Sequence, residues 1–165
     1  ESIWPNDFYN KIDFPVHAEA GRFLVNSCGS YFAKVLTVKN RKDNSYIIIN
    51  GGLQHHAANL ASPKFGNSNI TCKMLRNSNK EEEVFHVHGS LGVRNDRLLS
   101  DVKLPKDIKR GDWLEFMPCG AYGYTAGANQ FISPDSIREY IIEDNNIIEV
   151  SPQLAKPYPL SFTQE

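Results

Sequence analysis

The chain has 165 residues, 41 % apolar and 22 % charged, with a formal net charge of −1. That composition describes one globular domain, or two small ones. It excludes a basic nucleic-acid surface, because eighteen cations are interleaved with nineteen anions. It also excludes a helical membrane span, since no run of about eighteen apolar residues occurs.

The opening "ESIWPNDFY" has no starting methionine and no export signal. It reads as a cut from something longer, which leaves an upstream signal open. In "HAEAGRFLV", Glu19 and Arg22 stand three apart around Ala20-Gly21. Both can face one pocket if the glycine sharpens the bend, although the same spacing describes an ordinary surface pair. After Gly29, "SYFAKVLTV" reads as a half-buried strand from Tyr31 to Val38, or as the start of a helix. "NRKDN" is a polar turn, and "SYIIIN" has the length of a strand buried on both faces.

Gly51-Gly52 in "INGGLQHH" close that strand, where the backbone turns sharply or lies close to a ligand. "LQHHAANLAS" has room for a turn or two of helix, and its adjacent His55 and His56 are expected to point to different sides. "NITCKML" and "EVFHVHG" flank "RNSNKEE" and read as a hairpin or meander, with "NKEEEV" a solvated turn. In "HVH", His86 and His88 share one face of a strand. Some metal sites begin that way, but so does a polar solvent face. "KRGDWLEF" carries a tight-turn Gly111-Asp112 before a strand. "IREYIIED" and "NIIEV", joined by "DNN", complete the strands, and "SPQLAKPYPLSFTQE" reads as a proline-broken tail. Seven or so short strands between Gly, Asn, Asp and Pro suggest a β-sandwich or barrel. Cys28, Cys72 and Cys119 are odd in number and lack metal-ligand spacing, which fits reduced thiols in a cytoplasmic protein. The loop "CGAYGYTAGAN" sets Tyr122 among small residues, so that a backbone and a phenol can approach something closely.

Four stretches in order resemble the C-terminal half of the fold-type III, pyridoxal-phosphate-dependent amino-acid decarboxylases, the group of the diaminopimelate and ornithine decarboxylases. "EAGRFLV" resembles E-P-G-R-[FY]-x-V, with Ala20 for proline. "IIINGGLQHH" resembles a strand ending in D-G-G-[MV], with Asn50 for aspartate. "VHGSLGVRNDRLLSDVKLPKDIKRGDWLEF" resembles G-P-x-C-x-x-x-D-x-[LI] followed by L-P-x-[LI]-x-x-G-D-x-[LI]. "CGAYGYTAGANQFISP" resembles the G-A-Y-G-x loop. The likeness runs from about Val16 to Glu143.

The resemblance implies a mainly β fold: the C-terminal β-sandwich or barrel domain of an alanine racemase-like two-domain enzyme. Residues 1–35 would be the last strand and helix of a (β/α) barrel, 36–150 the β-domain and 151–165 a tail. It implies pyridoxal 5'-phosphate as cofactor, with Arg22 and Tyr122 on the phosphate and Glu19 paired to the pyridine nitrogen. Asp96 matches an aspartate of the catalytic loop, and His55 and His56 are placed toward substrate. Decarboxylation would run through an external aldimine, in a homodimer with shared active sites.

Two departures qualify this. The family's proton-donating cysteine falls at Gly92, and the arginine that holds the far carboxylate of diaminopimelate falls at Ala58. The double histidine is similar to a subgroup with G-G-M-H-H-H, which acts on carrier-protein-bound or specialised-metabolite substrates. The family's Schiff-base lysine, ring-stacking histidine and Gly-rich loop lie in the N-terminal barrel. Lys11, Lys34 and Lys39 have no such context, so the chain alone is expected to be inactive. Two other readings stand beside the enzyme: a non-catalytic homologue serving as a binding or regulatory partner, and a metal-dependent β-barrel enzyme using His86 and His88.

Overall fold

A computed structural model describes residues 11, 13–15, 17, 19–42, 44–60, 70–127 and 137–151, with the backbone alone described over 57–60. A short helix, α1 (Gly21–Val25), runs into a 3-10 turn at Asn26–Cys28. Strands β1 (Tyr31–Asn40) and β2 (Ser45–Ile49) follow, then helix α2 (Leu53–Leu60). The rest is β3 (Thr71–Met74), β4 (Glu82–His88), β5 (Arg97–Pro105), β6 (Trp113–Met117) and the pair β7 (Tyr140–Glu143) and β8 (Asn146–Glu149). Six strands form one sheet in the order β3-β6-β1-β2-β4-β5, and β7 and β8 form a separate ribbon. The outer strands β3 and β5 come into contact, so the sheet curls almost to a closed barrel. Mainly β is therefore the fold.

Alternation builds the core. Tyr31, Ala33 and Val35 of β1 point inward while Phe32 and Leu36 point out, the period of two that identifies a strand. Ile47, Ile49, Phe85, Val87, Leu104, Leu114 and Phe116 join them, each fully buried. Burial of such a side chain contributes about 1.5–3 kcal/mol. The helix reading of "SYFAKVLTV" loses to this pattern. In β2 the alternation is milder: Tyr46 and Ile48 are half-buried rather than covered on a second face.

Two expectations change. β3 and β4 do not form a hairpin, because β3 pairs antiparallel with β6 and β4 pairs parallel with β2 and antiparallel with β5. β5 was not anticipated as a strand. Asp101 sits at φ 57° and the β4–β5 register shifts between Phe85 and Val87, which breaks the alternation a sequence would show. "LQHHAANL" forms the expected turn or two of helix, eight residues long, with an added kink at His56. The turn between β7 and β8 matches its composition, with Asp144 and Asn145 both at positive φ. β1 runs continuously across residues 35 and 36, where the expected barrel segment ends and the β-domain begins. The expected barrel strand before Arg22, and all but Ser151 of the tail, fall largely outside the described residues.

Behind β3, Arg76 locks the β5–β6 turn. Its guanidinium donates to both carboxyl oxygens of Asp112 at 2.9 Å, and to the Asp107 carboxyl at 3.0 Å and backbone carbonyl at 3.1 Å. Ser78 donates to the other Asp107 oxygen at 2.7 Å. The G-D step of "RGDW" thus serves the closure of the sheet: a bidentate fork fixes one planar geometry.

Candidate functional site

The loop Cys119–Gly123 lies where β6 leaves the sheet, just after the cis Met117–Pro118 bond. It is stitched to α1 and the turn behind it. The Cys119 amide donates to Gly29 O at 2.7 Å and the Gly120 amide to Asn26 O at 2.8 Å. A Cβ on Gly29 would meet the Gly120 Cα at 2.6 Å, so only two glycines allow these backbones to cross. The crossing brings "EAGRFLV" and "CGAYG" together, which are ninety-odd residues apart in the chain.

At that junction the Arg22 guanidinium lies 4.9 Å from the centroid of the Tyr122 ring. The Gly21 backbone lies beneath: a Cβ there would be 3.6 Å from the Tyr122 hydroxyl. Glu19 is exposed two residues earlier, and Tyr122 is half exposed, at 50 %. Tyr122 also has φ 55°, a left-handed conformation that costs a side-chain-bearing residue about 1–2 kcal/mol. A guanidinium and a phenol over a bare glycine, open on one side, form a donor set suited to an oxyanion such as a phosphate. The structure thus brings together Arg22 and Tyr122, with Glu19 leading into them.

Asp96 lies elsewhere. It is 1 % exposed, and its two carboxyl oxygens accept the amides of Leu53 at 2.9 Å and Leu91 at 2.8 Å. Its own backbone closes the loop, with Gly89 N donating to Asp96 O at 2.8 Å. Asp96 therefore ties the start of α2 to the loop that carries Gly92. Gly92 itself sits at φ 71° facing open space.

The paired glycines have a structural cause. A Cβ on Gly51 would run into the Tyr31 hydroxyl, and one on Gly52 would lie 2.5 Å from Asp96 Oδ1 and 2.6 Å from Gln54 Oε1. What comes close to this backbone is the protein's own buried polar cluster. The Tyr31 hydroxyl and His55 Nδ1 are 3.0 Å apart, and burial pushes the Tyr31 phenol well above its ordinary range.

His55 and His56 do not point to different sides. The kink in α2 turns both inward, where their ring centroids lie 6.1 and 5.7 Å from that of Tyr31. His56 Nε2 lies 3.1 Å from the Cys119 carbonyl, which requires Nε2 to carry the proton. Burial holds the His56 pKa below its usual range; the Cys119 hydrogen bond opposes that shift, and the nearby Arg22 charge adds to it. This contact between α2 and the tyrosine loop was not legible in the sequence, because an adjacent pair of histidines gives no sign of a kink.

His86 and His88 face Tyr46 across the sheet. His86 Nε2 donates to Asn44 Oδ1 at 3.0 Å, and its Nδ1 accepts from the Asp101 amide at 3.4 Å. Among the described residues no three His, Cys, Asp or Glu side chains are placed to hold a metal. No described helix is long and apolar enough to cross a membrane.

Residues 22–120 match the family model of the pyridoxal-dependent decarboxylase C-terminal sheet domain. A diaminopimelate decarboxylase of Staphylococcus aureus (strain COL) is 33 % identical over 122 residues, 72 % of this chain and 28 % of that protein. An L-glutamyl-[BtrI acyl-carrier protein] decarboxylase of Niallia circulans is 29 % identical over 118 residues, 69 % of this chain and 27 % of that protein. The chain thus spans under a third of the length of these relatives. Among solved structures, M. jannaschii diaminopimelate decarboxylase in co-complex with L-lysine superposes with a TM-score of 0.67 at 23 % identity, covering 79 % of this chain and 29 % of that one. The Paramecium bursaria Chlorella virus arginine decarboxylase gives 0.57 at 23 %, over 65 % and 29 %. At such identity the two superpositions speak for the shared fold.

Proposed function

Because this chain belongs to the pyridoxal-dependent decarboxylases, as their C-terminal sheet domain, we propose that the complete protein removes carbon dioxide from an amino acid or amino-acid derivative. The observation that carries this reading is the meeting of Arg22 and Tyr122 over Gly21, a donor set that fits the phosphate of pyridoxal 5'-phosphate. When bound, that cofactor supplies a ring that takes up the electron pair left by the departing carboxyl group.

The residues of this chain do the rest by holding and orienting. Arg22 offers a fixed fork of N–H donors to the phosphate, and the Tyr122 hydroxyl adds a charge-assisted hydrogen bond. Glu19, exposed three residues before Arg22, would keep the proton on the pyridine nitrogen when the cofactor is bound. Asp96 acts through the backbone it holds rather than by contact with substrate, since both its oxygens are occupied inside the protein. At Gly92 there is no proton to give, and its φ of 71° is a conformation that side chains rarely adopt. The acid for that step therefore comes from another group.

Ala58 in place of a cationic side chain argues for a substrate other than free diaminopimelate. The likeness to a carrier-protein glutamyl decarboxylase supports a carrier-bound or otherwise derivatised amino acid. Exposed Phe23 (80 %), Leu24, Ile142 and Ile147 supply apolar surface of the kind buried in a homodimer with shared active sites.

The test uses the complete protein. It should purify yellow with pyridoxal 5'-phosphate and be bleached by borohydride. It should also release carbon dioxide from one member of a panel of free and carrier-bound amino acids. Binding without release from any of them would favour a non-catalytic homologue, and absence of binding would refute the reading.

A further inference from the structure

We propose that His56 is the positioning residue that presents Tyr122 to the cofactor phosphate; this rests on the function proposed above and replaces a substrate-contacting role for the histidine pair. Tyr122 is held at φ 55°, a backbone conformation it would leave unless its surroundings fixed it. The fixation comes from Gly120, whose amide is tied to Asn26 O at 2.8 Å, and from two sides of Cys119, three positions before the tyrosine. The Cys119 amide is tied to Gly29 O at 2.7 Å and its carbonyl to His56 Nε2 at 3.1 Å. Beyond Tyr122 the loop returns to the same ring, because a Cβ on Gly123 would lie 3.3 Å from His56 Nε2. The histidine thus bonds the loop before the tyrosine, lies close to its backbone after it, and leaves the phenol itself open.

His56 can act as such a strut because its own place is fixed. The ring is 3 % exposed, which leaves no face for a substrate. The kink at His56, with φ −146° inside a helix, is what swings the ring toward Cys119. The amides of His55 and His56 return to Gly52 O at 3.0 and 3.3 Å, and the Leu53 amide is pinned by Asp96. A continuous set of bonds therefore runs from Asp96 through the start of α2 to His56, then to Cys119 and Tyr122. A neutral imidazole donating one N–H does this without adding a second positive charge beside Arg22.

The experiment is a binding titration of pyridoxal 5'-phosphate to the complete protein, followed by intrinsic fluorescence. It compares wild type, His56→Leu, His56→Gln and His56→Asn, each with Tyr122 and with Tyr122→Phe. Glutamine can place an N–H near the Nε2 position and asparagine is too short to do so. His56→Leu and His56→Asn should weaken binding about five- to tenfold, the loss expected for one hydrogen bond. His56→Gln should stay within about twofold of wild type. In the Tyr122→Phe background the histidine changes should cost nothing further, because the strut then has no hydroxyl to present. Equal affinity for all His56 variants, or losses that simply add to that of Tyr122→Phe, would overturn the proposal. If wild type does not bind the cofactor, the functional reading fails instead. The positioning claim is then judged on the cofactor-free crystal structure of His56→Asn, where Tyr122 should leave the left-handed region. A Tyr122 unmoved there would also overturn it.

Discussion

Removing the Asp96 carboxyl group should loosen two distant loops at once. In the Asp96→Ala variant the amides of Leu53 and Leu91 lose their acceptors, at 2.9 and 2.8 Å, in a place that is 1 % exposed. A buried hydrogen bond to a carboxylate contributes about 1.5–3 kcal/mol, so two together amount to about 3–6 kcal/mol. Asp96→Asn keeps one acceptor and turns an NH2 group on the other amide, which gives about half that loss. The loss is local to two loops, so the assay is amide hydrogen exchange at Leu53 and Leu91. A local loss of about 3 kcal/mol means exchange faster by about a hundredfold. Acceleration below about tenfold at both amides in Asp96→Ala would refute the reasoning. A second arm uses Gly89, whose three nearest atoms to an added Cβ all belong to Asp96. Gly89→Ala should therefore be disruptive on its own and mild in the Asp96→Ala background.

Three further outcomes follow from the same geometry. Gly51→Ala, which drives a methyl into the Tyr31 hydroxyl, should cut the yield of soluble protein sharply, whereas Gly111→Ala has open space and only backbone strain to meet. The Arg76 fork holds the Asp112 carboxyl below its usual range, and the Ser78 hydrogen bond does the same for Asp107. Their contribution is fully present above the ordinary carboxyl range, about pH 4, and is lost as pH falls through the lowered folded-state values. Asp112→Asn should therefore flatten the acid limb of a stability-against-pH curve without changing its neutral plateau's slope. Burial pushes the Cys119 thiol up to about 11 and Cys72 to about 12, while Cys28 is exposed. Peptide mapping after brief alkylation near neutral pH should find label on Cys28 and little on the other two.

Much of this architecture could be read from residue order. The alternation in "YFAKV" announced β1 because its inward positions are all buried, and "DNN" announced the β7–β8 turn because two consecutive residues there must take positive φ. Arg22 and Tyr122 could be singled out from motif likeness, and they do meet. Strand partners were not legible: β3 and β4 are neighbours in sequence and join different strands, since pairing is decided by burial across the whole sheet. The roles of Gly51 and Gly52 were also hidden. Their backbone had to lie close to something, but only the fold shows that it is Tyr31 and Asp96. The direction of the His56 ring was hidden for a related reason, as it depends on a kink that no local propensity encodes.

The β7–β8 ribbon carries Ile141, Ile142, Ile147 and Ile148, all exposed. Two short strands with apolar side chains on both faces form a sticky tab, prone to stacking with copies of itself. Attempts to produce this domain in isolation should therefore meet precipitation at high concentration, and charged replacements at Ile142 and Ile147 are the first remedy to try in preparing crystals.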